Sequence, residues 1–577
     1  MKIFNGRGIL RGSVDYSSIL AWLNSSAFDF GGFTPAFELD FVENPKTAQE
    51  KLSHERAGNA MMRNSAGEWV WAPHNLLTWS EDFTKSTWLK SGVTVTDDAD
   101  GFDLLVPASS GSDKFVYRQV SFLVPAVQNT VAIKVKPSGK SVAYITHVGG
   151  SPASACYFDL VAGTAHLGNY GSDPFIIPQD DGSYLCGYTR PSNATWYEVG
   201  CCDAVGSTSV TVNGSDGVLI SGAHLYRSDM GGMADNPATG NSYVPTTDAP
   251  VYLPRIGHHE WNGSEWVNKG LLVEKQATNF LKYSEDFSNS IWVARGFTKA
   301  GPASGPMGAT AYEFVEDGTS TNPAIYYNAD ATDGTPRAFS IWLKASTPVT
   351  IALTTQSDTK SREINVTTEW KFFWVSDSLN AAIGPHIGGF STISVGSGLR
   401  IWAAMPQQED APTPSSYIPT NGSAVTRAAD VMTQPAGTLP WSASALSLFM
   451  SGEVSGDSYT LLSWQADAGN RIAHTLNTSD FTFAQAAAGT VDSITGGSHT
   501  SGLGVPFAYA ATHASTGIYA AVNGVALTPD ETPTALADLT GAATNLLPSG
   551  NYTIAAIAGW AVDIGDTGRL EGSNYGS

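Results

Sequence analysis

Along most of the chain, apolar positions recur every second residue. Residues 130–136 (TVAIKVK) and 337–344 (RAFSIWLK) alternate polar or small side chains with apolar ones. Shorter runs at 208–213 (TSVTVN), 350–354 (TIALT) and 143–146 (AYIT) do the same. Successive side chains on a strand point to opposite faces, so each run predicts a half-buried strand. Turn signals punctuate them at Pro137-Ser138-Gly139, Asp180-Asp181-Gly182, Asp317-Gly318 and Asn523-Gly524. Helical periodicity is scarce, with candidates only at 45–57 (PKTAQEKLSHERA) and 17–24. Many short, regularly punctuated strands predict an all-β chain of antiparallel β-sandwich (jelly-roll) domains in tandem.

An internal repeat sets the organisation. Residues 75–83 (NLLTWSEDF) return as 279–287 (NFLKYSEDF), and Trp88 and Trp292 follow at the same offset of 204. Further on, 242–246 (SYVPT) matches 416–420 (SYIPT). The predicted domains are an N-terminal segment, 1–35; a short β/helix connector, 36–74; a first sandwich, 75–248; a linker, 249–278; a second sandwich, 279–430; and a third, 431–577. The first copy is some thirty residues longer, and its cysteine-bearing stretch is the expected place for the excess. After Asp430 only Arg471 and Arg569 are basic, and strand-like runs occur at 445–449, 460–464 and 518–522.

Composition narrows the class. Charged residues are 15% of the 577 residues, against about 25% in an average soluble protein. The formal net charge of −22 repels phosphate backbones, which argues against nucleic acid as a partner. No apolar run approaches the roughly 18 residues of a membrane span, so no membrane insertion is expected. The first residues lack the apolar core of a signal peptide, so export by the usual secretory route is not expected. Cys156, Cys186, Cys201 and Cys202 show no zinc spacing. Buried thiols are the default; a Cys156–Cys186 bridge stays open. If Cys201 and Cys202 lie on a strand, their side chains diverge.

The repeated motifs resemble those of bacteriophage tail-fibre and tail-appendage proteins, over about 40–430. The resemblance rests on "NLLTWSEDF…W", "TNFLKYSEDFSNSIW", "SYVPTT" and "SYIPTNGSAVTRAADV", with "HERAGNAMMRNSAGEW", "CYFDLVAGTAHLG…DDGSYLCGYT" and "GLLVEKQATNFL" beside them. The first copy departs at its end, where Asp248-Ala249-Pro250 replaces the "GSAVTRAAD" tail. Residues 431–577 resemble, more weakly, a concanavalin-A-like lectin jelly roll, best at 518–528 (IYAAVNGVALT). The resemblance implies carbohydrate-binding-module-like sandwiches on a phage particle, assembled in the host cytoplasm. By analogy the chain would be a homotrimer, joined to other virion proteins through its N-terminus and binding host surface polysaccharide. The rivals are a head-fibre or decoration protein without a glycan ligand, and a polysaccharide depolymerase. No catalytic residue is identified, and an enzyme is not expected.

Candidate sites are few. Tyr326, Tyr327, Trp441 and Trp464 are the aromatics considered for sugar binding, because ring faces stack on the C–H faces of pyranoses. The recurring Phe83, Phe287, Trp88 and Trp292 fit core plugs better. Asp98, Asp100 and Asp103 place hard oxygens in one acidic loop that could take Ca²⁺, with a solvated turn as the default. Glu81-Asp82 and Glu285-Asp286 are neighbours in sequence. Paired carboxyls in glycosidases lie about 5–9.5 Å apart across a sugar, so a turn role fits these better. His258-His259 before Glu260-Trp261 has no third metal ligand at suitable spacing.

Overall fold

The computed structural model describes residues 26–575, apart from 121–126, 148–150, 191–194, 329–335, 356–360, 379–383, 389–392, 457, 501 and 549. The predicted helix at 17–24 lies outside the described residues. The chain is all-β, built of antiparallel sheets in sandwiches. It divides into two compact units. Of the described residues, one unit holds 41–432 with 550–553; the other holds 26–40 with 433–548 and 554–575.

In the larger unit the two repeats close into sandwiches of one topology. In the first copy, one sheet runs Val93–Asp97, Asp103–Pro107, Gly217–Arg227, Asn129–Ser138, Tyr184–Arg190, Ser172–Pro178 from edge to edge. In the second it runs Phe297–Ser304, Thr310–Glu316, Arg400–Glu409, Pro336–Ala345, Lys371–Ser378. The facing sheets also agree. The first copy orders Leu89–Ser91, Phe115–Gln119, Trp196–Cys202, Val142–Thr146, Cys156–Asp159 and Thr164–Leu167. The second orders Trp292–Arg295, Ala324–Tyr327, His386–Gly388, Val349–Thr354 and Ser361–Val366. The extra length of the first copy includes the added edge strands Thr164–Leu167 and Ser172–Pro178, between Cys156 and Cys186.

The repeated motif residues are the plugs and clamps of these sandwiches. Trp88 and Trp292 are buried, each 1% exposed, and each rests on the phenylalanine before it, at 4.7 and 4.6 Å. Their indole N–H groups donate to the carbonyls of Trp79 and Tyr283. Asn75 donates to the carbonyls of Ala223 and Val244 and accepts from the amides of Leu77 and Leu225. Asn279 donates to those of Pro406 and Ile418 and accepts from Leu281 and Gln408. A buried amide with both ends satisfied fixes where the opening segment meets the last strands. All four cysteines are buried and free. Cys201 joins the main core and Cys202 a second cluster with Tyr144 and Tyr157, so the vicinal pair does diverge.

Three readings are corrected. The helix covers only Pro45–Lys51; Leu52 is extended, and Ser53–Glu55 becomes a strand. The side chains of His54 and Arg56 there reach Asp430, a partner far outside the local pattern. The run 208–213 is not a strand: only Val210 bridges, to Gly111, and the Thr211 amide donates to the Asp203 carboxylate instead of a neighbouring strand. Residues 26–35 are not a separate piece. Phe28 and Phe30 pack with Phe449, Ala510, Trp560 and Ile564, and Phe37–Asp40 pairs with the last strand, Phe37 opposite Gly559.

The smaller unit places Phe37–Asp40, residues 554–560 of the strand Asn551–Trp560, Ala445–Gly456, Gly502–Ala514, Ile518–Val522 and Val525–Ala526 side by side in one sheet. A second sheet runs Thr544–Leu546, Tyr459–Asp467, Asn470–Leu476, Phe481–Ala487, Thr490–Gly496. Asn523 and Gly524, both at positive φ, form the predicted two-residue hairpin turn between Val522 and Val525.

Candidate functional site

The sequence-selected aromatics do not form one surface. Trp464 is 1% exposed and Tyr327 2%; both are core residues, contrary to a sugar-binding role. Trp464 fills its own sandwich with its indole N–H on the Ala542 carbonyl, and Tyr327 packs edge-on to Trp292. Trp441 is half-buried and donates to the Ala537 carbonyl. Tyr326, one residue from Tyr327, faces the other side of its strand. It is half-buried, and its ring stacks on His386 at 4.7 Å, with the Arg295 guanidinium 5.8 Å away.

The acidic loop is also not a cation cage. Asp98 and Asp100 are exposed, whereas Asp103 turns inward and accepts the Phe83 amide at 2.5 Å. Burial pushes its carboxyl up to about 6. Among the described residues no three His, Cys, Asp or Glu are grouped as a metal would require. Asp82 and Asp286 cap the turns that follow them, accepting from the Thr84 and Ser288 amides.

Six residues from the resembling motifs, His54, Arg56, Glu274, Ser416, Arg427 and Asp430, meet around Arg255 in a buried charge cluster within the larger unit. Arg255 is ion-paired with both Glu274 and Asp430. Asp430 also accepts from Arg56 at 2.8 Å and approaches His54 at 3.3 Å. Glu274 is ion-paired with Arg427 at 3.0 Å and accepts from the Ser416 hydroxyl and amide at 2.6 Å each. Burial favours the neutral acids, but Arg255 and Arg56 outweigh it and hold Asp430 well below the usual carboxylate range. Arg427 and Arg255 hold Glu274 down to about 2. Five distant segments are joined here with no exposed charge. Such a cluster sets geometry, since breaking one partner leaves an unpaired buried ion.

One aromatic pair that reaches solvent lies in the linker. His259–Trp261 and Trp266–Asn268 form a hairpin in which Trp261 stands opposite Trp266. Trp266 is half-buried over Gly67, where a Cβ would meet its ring at 2.0 Å, and the Arg63 guanidinium lies 5.1 Å from its centroid. Trp261 leans on Trp266 at 5.6 Å and 59° and remains 54% exposed. On the same strand face stand His259 and its register partner Asn268. His259 Nδ1 is bonded to the Gly257 carbonyl, and Asn268 Oδ1 to the Gly270 amide. His258 faces away and accepts from the Arg63 amide. The two histidines therefore diverge. Sequence reasoning met Trp261 only beside the histidines; the cue it passed over was the Trp-x₄-Trp spacing around the turn.

No family model matches the chain, and no curated protein does. Among solved structures it is similar to the N-terminal CBM22-1–CBM22-2 tandem domain of Xyn10C from Paenibacillus barcinonensis, at 12% identity and TM-score 0.21. That match covers 59% of this chain and 98% of the other. Domains LG4-5 of the mouse laminin alpha1 chain match at 12% identity and TM-score 0.18, over 47% of this chain and 92% of theirs. A mutant of the GH43 protein BlXynB from Bacillus licheniformis matches at 9% identity and TM-score 0.18, over 91% and 100%. Likenesses this slight carry nothing further to this chain.

Proposed function

We propose that this chain is a non-enzymatic appendage protein of a phage particle, a tail fibre or receptor-binding protein, that holds host surface polysaccharide. The observation that carries the sugar-binding part is Trp261: a large ring more than half exposed, supported from behind by Trp266, with His259 and Asn268 at hand for hydroxyls. A rigid, exposed indole offers apolar area to a pyranose face at little entropic cost. The particle-borne part rests on the motif resemblance. Single contacts of this kind are weak, so the chain would work as a homotrimer, through avidity.

The test is co-sedimentation of the purified full chain with capsule, O-chain and teichoic-acid polysaccharides, beside Trp261→Ala, with sizing of the glycan afterwards. The expected result is retention on at least one polymer, loss in the variant and unchanged polymer length. Retention undiminished in the variant removes the platform, and shortened polymer replaces the reading with a depolymerase. Sedimentation equilibrium at other than three chain masses rejects the trimer.

A further inference from the structure

Among the described residues, Arg63 is the only arginine whose guanidinium has neither a hydrogen bond nor an ion pair within the protein; every other has at least one. Arg63 is half-buried, and none of its nitrogens is both buried and unpaired, unlike Nε and Nη2 of Arg190. Its N–H donors therefore face solvent. We infer that Arg63 reads a negatively charged group, a carboxylate or a phosphate, on a polysaccharide chain that also crosses Trp261. The inference rests on the sugar-binding reading above and gives its ligand a class: an acidic polymer, held over more than one unit.

The cation is held by rings. Arg63 stands opposite Trp69 in a two-stranded ribbon, Met61–Arg63 with Trp69–Trp71. Its guanidinium carbon lies 4.6 Å from the Trp69 ring, 5.1 Å from Trp266 and 5.6 Å from Trp342. Ring faces attract a cation without using up its N–H donors. A planar fork fixed in this way loses little freedom on binding, and it matches the paired oxygens of a carboxylate or phosphate. Burial lowers the guanidinium to about 10, so it is charged at neutral pH. Glu260 is the carboxylate whose field reaches it, but Glu260 lies 3.6 Å from His258 and makes no ion pair with Arg63. The chain-wide charge of −22 opposes an acidic ligand at long range. In physiological salt that field is screened beyond about 8 Å, and direct contact decides.

Two exposed rings are tied to this cation. Trp266, which holds Arg63, also supports Trp261 at 5.6 Å. Trp342, which holds it too, faces outward from the second sandwich, since Ile341 and Leu343 on either side are core residues. Its ring lies 5.5 Å from its register partner Phe372, which is 37% exposed. Such an arrangement suits successive units of a chain, stacking on each ring while a charged unit meets the fork.

The experiment is co-sedimentation of the full chain, in physiological salt, with polygalacturonate, alginate, polysialate and glycerol-phosphate teichoic acid. The carboxylated polymers are also tested after reduction of their carboxyls to alcohols, and dextran and galactomannan serve as neutral polymers. At least one charged polymer should be retained, and neither neutral one. Carboxyl reduction and Arg63→Gln should each weaken retention of a carboxylated polymer about tenfold or more, and the two losses should not add, because both remove one contact. Arg63→Lys keeps the charge without the fork and should fall between. Trp261→Ala should weaken the charged and the reduced polymer by the same factor. The reduction uses wild type alone, so it decides even where Arg63→Gln does not fold. Arg63-dependent retention of teichoic acid alone assigns the group to phosphate, and of a carboxylated polymer to carboxylate. Neutral polymers held as well as charged ones, or retention indifferent to carboxyl reduction and to Arg63→Gln, overturns the charge reading, while loss in Trp261→Ala keeps the platform. Retention that falls in Arg63→Gln and not in Trp261→Ala overturns the platform and spares Arg63. No retention of any polymer overturns both.

Discussion

Gly222 and Met405 occupy the same bulge in the two repeats. In the first copy Ala132 pairs with His224 and Lys134 with Ser221; in the second, Ser340 pairs with Gln407 and Trp342 with Ala404. The slipped residue has φ 64° at Gly222 and 50° at Met405. The left-handed region is free to glycine and costs an L side chain about 1–2 kcal/mol. Met405 bears that cost because its side chain is 3% exposed in a cluster with Trp69, Trp71 and Tyr417.

The first prediction follows from this difference. Gly222→Ala should destabilise the larger unit by about 1 kcal/mol, since its Cβ meets only the Tyr243 ring at an ordinary 3.5 Å. Met405→Gly relieves the strain but empties a buried site, and truncating a buried Met costs about 2–5 kcal/mol. It should therefore be the more harmful change, despite restoring the residue type of the first copy. Urea unfolding of both variants checks the order; a stabilised Met405→Gly would refute it.

The second concerns pH. Glu285 is hydrogen-bonded to the Tyr417 hydroxyl, and burial pushes its carboxyl up to about 7. A folded-state value above the unfolded one gives stability that is complete below about pH 4.5 and lost as pH rises through 7. Glu285→Gln mimics the protonated acid and should not show that loss. Relative to the variant, wild type should lose on the order of 3 kcal/mol between pH 4.5 and 8. Parallel stability profiles for the two proteins would contradict this.

The third tests the charge cluster. Asp430→Asn leaves Arg255 and Arg56 without their shared carboxylate in a site with no exposure. The expected cost is about 3–5 kcal/mol. In wild type, Glu274 and Asp430 have depressed values, so their contribution is present above about pH 4.5 and lost as pH falls towards 2. A variant melting within a degree of wild type would show that the cluster is solvated.

The fourth concerns thiols. Burial raises all four cysteines, with Cys156, Cys201 and Cys202 pushed up to about 12. Thiolate is the reactive form, so none of the four should react promptly with a disulfide reagent in native chain, and all four should after unfolding. Fewer than four thiols in the unfolded chain would reveal a bridge.

The fifth separates the two kinds of tryptophan. Trp292→Ala should cost about 3–5 kcal/mol, as a buried ring does, and Trp261→Ala within about 0.5 kcal/mol, as a surface change does. Thermal unfolding of each compares them directly.

The strand pattern and the repeat were legible because period-two alternation and the Asn75/Asn279 motifs are local signals. Sites were not, because exposure depends on what covers a side chain. Alternation says that Tyr326 and Tyr327 face opposite ways but not which faces solvent. Nothing near Trp464 signals that a second sheet closes over it, and nothing near Trp261 signals that none does. The charge cluster draws on His54, Arg56, Arg255, Glu274, Arg427 and Asp430, whose meeting requires the finished fold.

The pairing of Phe37–Asp40 with Ala556–Gly559 fixes an order of events during synthesis. At about 5–20 residues per second, roughly half a minute to two minutes separates the emergence of the first strand from that of its partner. Both repeats can emerge and fold in that interval, whereas the sheet holding the first strand must wait. A ribosome that stops early leaves that strand as an unpaired edge, the kind of surface that chaperones cover and that neighbouring nascent chains can capture.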